Sequence, residues 1–81
     1  MVGEFHASFR EPDAARAAAR DARAVGFVVE VHETGKGRWA IFARRKDPFP
    51  PDEQQRYAAR LRAIAGKHGG TYRRFVREPA K

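Results

Sequence analysis

Four stretches of the chain alternate apolar and polar side chains with the period of two that marks a half-buried strand. In residues 5–10 (FHASFR), Phe5, Ala7 and Phe9 share one face and His6, Ser8 and Arg10 the other. Residues 27–33 (FVVEVHE) set Phe27, Val29 and Val31 against Val28, Glu30 and His32. In residues 38–45 (RWAIFARR), Trp39, Ile41 and Ala43 are wholly apolar, while Arg38, Ala40, Phe42 and Arg44 are mixed. Burying the apolar set turns Trp39 inward and Phe42 outward. The last stretch, residues 71–78 (TYRRFVRE), is less decided because both parities mix apolar residues with arginine. The reading adopted puts Tyr72 and Val76 inward and leaves Arg73, Phe75 and Arg77 outward.

Two other stretches repeat at helical spacing. In residues 11–26, Ala15, Ala18, Ala19, Ala22 and Val25 form a narrow apolar stripe, with Pro12 and Asp13 suited to a first turn and Gly26 to a C′ position. Between residues 52 and 68, Tyr57, Ala58, Leu61, Ile64 and Ala65 recur on one face, with Asp52 and Gln55 spaced as an N-cap and its capping-box partner. The turn signal TGKG joins the second and third strands as a hairpin, and the proline-rich DPFPP interrupts regular structure before the second helix.

The resulting order, β-α-β-β-α-β, predicts an α+β, ferredoxin-like fold: a four-stranded antiparallel sheet with two helices on one face. A chain of 81 residues has room for one such domain, residues 1–81 with its core at 5–77. The other sheet face stays open and is where function is expected. It gathers His6, Ser8, Arg10, Arg38, Ala40, Phe42, Arg44, Arg73, Phe75 and Arg77.

Charge sharpens that expectation. Seventeen Lys and Arg against ten Asp and Glu give a net charge of +7, which favours an anionic partner. Thirteen of those cations are Arg and alanine supplies 15 residues, a pairing that GC-biased codon usage also produces. Phe42 and Phe75 framed by arginines could stack bases and hold phosphates, or could be covered by a second copy in a homodimer. The ribonucleoprotein motif of RNA-recognition domains is absent: laid from Lys36, it fails at Arg38, Trp39, Ala40 and Ala43. The outer helical stripes, Arg16, Arg20 and Arg23 on one helix and Arg56, Arg60 and Lys67 on the other, read as solvated charge.

Candidate chemistry is sparse. There is no cysteine, so disulfides, thiolate zinc sites and cysteine nucleophiles are excluded. His6, His32 and His68 lack ligand spacing, Ser8 lacks a glycine elbow, and Glu30 and Glu33 point to opposite sides of one strand. No enzymatic activity, metal or cofactor is expected. With no apolar run long enough to span a membrane and no apolar leader at the start, cytoplasm is the expected location.

Three segments together resemble the regulator of ribonuclease activity B family, the inhibitors of ribonuclease E: AVGFVVEVHE, with its Gly-aromatic step into an acidic-apolar strand; the Trp-bearing GRWAIFARR; and LRAIAGKHGGTY, a helix closing on Gly-Gly-x-Tyr. The resemblance covers residues 5–77, with Trp39, Gly69, Gly70 and Tyr72 as the matching positions. It implies a ferredoxin-like, non-enzymatic protein that binds ribonuclease E and reduces its cleavage of RNA. Binding is expected through the sheet face and the C-terminal strand, with Phe42, Arg44, Tyr72, Arg73, Arg74, Phe75 and Arg77 as the partner-binding residues. A basic RNA-binding module is the alternative, and a dimeric small-ligand sensor a third reading. Each matching residue also has a structural explanation: the glycines as a helix cap, Trp39 as core, Tyr72 as a ring in the core with its hydroxyl at the rim.

Overall fold

The computed structural model describes residues 1–77. The elements are β1 (Gly3–Phe9), α1 (Pro12–Ala24), β2 (Phe27–Gly35), β3 (Arg38–Arg45), a 3-10 turn (Pro51–Glu53), α2 (Gln54–Lys67) and β4 (Thr71–Arg77). The strands form one sheet in the order β2-β3-β1-β4, with every neighbouring pair antiparallel. Both helices pack on one face, α1 over β2 and β3, α2 over β4 and β1, which is the ferredoxin-like arrangement. Glu78, the expected end of the last strand, lies outside the described residues.

The alternation of β1 to β3 reappears in the burial. Phe5, Ala7, Phe9, Phe27, Val29, Ile41 and Ala43 are buried beneath the helices, with Val31 and Trp39 partly buried against them. The helices contribute a small-residue surface, Ala15, Ala18, Ala19 and Ala22 from α1 with Leu61 and Ala65 from α2. Such a stripe lets α1 approach the sheet closely, and the large core volume comes from the strands.

β4 departs from simple alternation. His6 pairs with Arg74 but Ala7 pairs with Tyr72, so Arg73 is an extra residue in a β-bulge. The bulge turns both Tyr72 and Phe75 toward the helices and leaves Arg73 and Arg74 together on the open side. The outward placement expected for Phe75 is therefore corrected. It pairs with Phe5 and packs on it with ring centroids 4.6 Å apart. Val76, expected inward, instead pairs with Glu4 and is 40% exposed. Arg77 pairs with the buried Gly3, at the helix-side parity, so it is not part of the open face either.

The proline-rich connection also holds more than a break. Phe49 is buried among Phe5, Tyr57 and Phe75, and its backbone exchanges hydrogen bonds with Met1: Phe49 N–H to Met1 O at 3.0 Å and the Met1 ammonium to Phe49 O at 2.8 Å. The expected Asp52 cap is not formed. A 3-10 turn precedes α2, whose N-cap position is Glu53, with no side-chain capping bond. The hairpin is tighter than expected, with β2 continuing to Gly35 past an irregularity and Gly37 at φ +71 in the turn.

Candidate functional site

The register lays the open face out in rows. Glu30, Phe42, His6 and Arg74 are successive cross-strand partners, one per strand. The next row toward the hairpin is His32, Ala40, Ser8 and Thr71. Over these two rows lies an open groove of about 640 Å³ that extends to Arg10 and Arg38, and Thr34, Arg73 and Arg74 also line it. In the opposite direction lie Val28 paired with Arg44 and Glu4 paired with Val76.

Phe42 is the centre of this surface. Its ring is half-buried between two imidazoles, 4.4 Å from His6 and 4.9 Å from His32 between centroids. Each imidazole meets a carboxylate two residues back on its own strand, Glu4 at 3.5 Å and Glu30 at 3.3 Å. The tripeptides EFH (4–6) and EVH (30–32) thus repeat one device on either side of Phe42, a pattern visible in the sequence once the two strands are known to flank the third. Arg73 folds over the groove, its Nε donating to Ser8 Oγ at 2.9 Å.

The expected site residues divide. His6, Ser8, Arg10, Arg38, Ala40, Phe42 and Arg73 come together around the groove. Arg44 shares the face but stands at its other end, and Phe75, Tyr72 and Arg77 are absent from it. Arg74, expected among the partner-binding residues, reaches the groove because the bulge turns it to the open side, whereas Thr34 and Thr71 are groove residues that the sequence reading did not single out.

The family-matching residues serve the framework. Gly69 has φ +76 at the C′ position of α2, with Gly69 N–H bonded to Gly66 O and Gly70 N–H to Ala65 O, a Schellman closure. Gly70 lacks a side chain because Phe9 lies directly against it. Trp39 faces the helices, with the Arg16 guanidinium 6.0 Å from its ring. Tyr72 packs beside α2 under Arg62, 5.2 Å away, and burial raises its phenol above the usual 10.0 against the pull of that guanidinium. His68, at the C-cap of α2, donates from Nε2 to Asp21 Oδ2 at 2.7 Å, tying the end of α2 to α1. That bond is the main cause holding the Asp21 carboxyl below its usual value; partial burial opposes it and Lys67, 3.6 Å away, assists.

Among the described residues no group of histidines and carboxylates could hold a metal ion. No helix among them is long and apolar enough to cross a membrane. The arrangement offers charge, rings and apolar surface for binding. No curated protein and no solved structure matches the chain. The family model for regulator of ribonuclease activity B matches residues 1–74, and over that span of its 81 residues the chain belongs to the regulator of ribonuclease activity B family.

Proposed function

We propose that this protein regulates a ribonuclease by binding the enzyme, performing no reaction of its own, and that it docks through the open sheet face. The observation that carries this reading is the apolar end of that face. Val28 and Val76 are 41% and 40% exposed, and Arg44 and Glu4 belong to the same end. Val2, also exposed, has the same parity one step before β1 begins. Exposed valines interspersed with both signs of charge form the mixed apolar and polar surface that protein interfaces use. Val76 stands there only because of the β4 bulge. Phe42 and Arg74, in the adjoining row, border this end.

The family resemblance points to ribonuclease E as the partner, and action on that enzyme would place the protein in the cytoplasm. Calorimetric titration of the full chain into purified ribonuclease E tests the reading. Saturable binding is expected, weakened about tenfold by Val28→Lys and again by Val76→Lys, since each removes roughly the free energy of one buried valine. Absence of binding, or binding indifferent to both substitutions, would overturn it.

A further inference from the structure

The groove end of the open face is chemically unlike the valine end. Arg10, Arg38 and Arg74 make no ion pair among the described residues, and Arg73 engages Ser8 alone. On the helical side Arg16 is held by Asp13, Arg56 by Glu53 and Lys67 by Asp21, and Arg23 and Arg45 by backbone carbonyls, while Arg20 and Arg60 make no ion pair among the described residues and do not line this groove. Codon bias supplies arginines without regard to their surroundings and does not explain four of them converging on one groove. Guanidinium forks match phosphate oxygens in pairs, so such a cluster is suited to a phosphorylated chain.

With those arginines the His6 and Phe42 rings line the groove, and His32, against the other side of Phe42, extends them into a ring strip crossing three strands. Rings bordered by arginines are the combination that single-stranded nucleic acid requires, bases stacking on the rings and phosphates pairing with the cations. Thr34 and Thr71 also line the groove, and a threonine hydroxyl can pair with a ribose 2′-OH. An acidic peptide would satisfy the charge but brings no planar group to each step of the strip. A second copy of the face is a poor occupant, because Arg10, Arg38, Arg44, Arg73 and Arg74 outnumber Glu4 and Glu30 and would repel themselves.

We infer that this groove binds single-stranded RNA, with bases against Phe42 and its flanking imidazoles and phosphates on Arg10, Arg38, Arg73 and Arg74. The inference goes beyond the protein-binding reading and centres on the other end of the face, which meets the valine end at Phe42 and Arg74.

Fluorescence anisotropy of a labelled uridine decamer titrated with the full chain tests it. With four phosphates neutralised, affinity falls about 50-fold between 50 and 200 mM salt. Arg38→Ala, at an exposed position, lowers the logarithmic salt slope by about 0.7. Phe42→Leu keeps an apolar side chain on the sheet yet weakens binding at least about fivefold, the low end for one base–aromatic stack. No binding would overturn the inference, as would equal affinity for a labelled decaglutamate, or indifference to Phe42→Leu in a variant that melts like the parent. A thymidine decamer bound as tightly as the RNA would overturn the assignment to RNA. Ribonuclease E binding, measured separately by calorimetry, stands or falls independently of all these outcomes.

Discussion

Replacing Gly70 by alanine leaves the backbone unstrained and still creates a misfit. Gly70 does not have a positive φ, unlike its neighbour Gly69. Its constraint is space, since a Cβ added there would overlap three atoms of the Phe9 ring, and Phe9 is only 3% exposed. The ring is buried and cannot swing away into solvent. Overpacking of this kind costs about 1–3 kcal/mol. For a chain of this size each kcal/mol lowers the melting temperature by about 4–8 °C, so Gly70→Ala is expected to melt about 8–16 °C lower at the middle of that range. Gly69→Ala fails for a different reason: open space surrounds the added methyl, but φ +76 costs an L-residue about 1–2 kcal/mol. Phe9→Leu separates the two mechanisms. By shortening the ring it relieves Gly70→Ala and leaves Gly69→Ala untouched, giving a favourable coupling of about 0.5–3 kcal/mol in the first double-mutant cycle and none in the second. Thermal unfolding followed by circular dichroism measures all five variants and the parent. Gly70→Ala melting with the parent, or Phe9→Leu costing the same in both backgrounds, would refute the steric reasoning.

Two further expectations concern stability. Phe49→Ala is expected to cost about 3–5 kcal/mol in denaturant unfolding, because it empties a site walled by Phe5, Tyr57 and Phe75; a loss below about 1 kcal/mol would mean that the ring is not part of the core. Asp21→Ala is expected to lower the melting temperature at neutral pH. The folded carboxyl has the lower pKa, so its stabilisation is present above the ordinary value of 3.8 and is lost as pH falls through the folded value. The gap between variant and parent therefore closes in acid, and a gap that stayed constant down to strongly acidic pH would contradict the His68–Asp21 link.

The strands β1 to β3 were legible because each has one parity that is apolar throughout, so the buried face follows from alternation alone. β4 was not, and the reason is a single residue. With Arg73 bulged out, Tyr72 and Phe75 stand three positions apart yet face the same way, a spacing that strict alternation reads as opposite faces. That one irregularity explains why Phe75 was expected outside, why Val76 was expected inside, and why the valine end of the open face went unseen. Phe49 was hidden for another reason: it lies between prolines, without periodicity, and its backbone pairs with Met1, 48 residues earlier in the chain. The groove itself was largely visible, since His6, Ser8, Arg10, Arg38, Ala40 and Phe42 all follow from the parities of β1 and β3. The repeat of EFH and EVH around Phe42 carried information that neither strand reveals alone, because only the strand order β2-β3-β1 brings the two together.

The most direct test of the account is the rate at which purified ribonuclease E cleaves a labelled RNA in the presence of this protein and two double variants. The parent is expected to lower the rate saturably, Val28→Lys/Val76→Lys to lose that effect, and Arg16→Glu/Arg20→Glu on the exposed side of α1 to retain it. Inhibition that survives the change on the sheet face and disappears with the change on the helix would contradict the assignment of function to the open face.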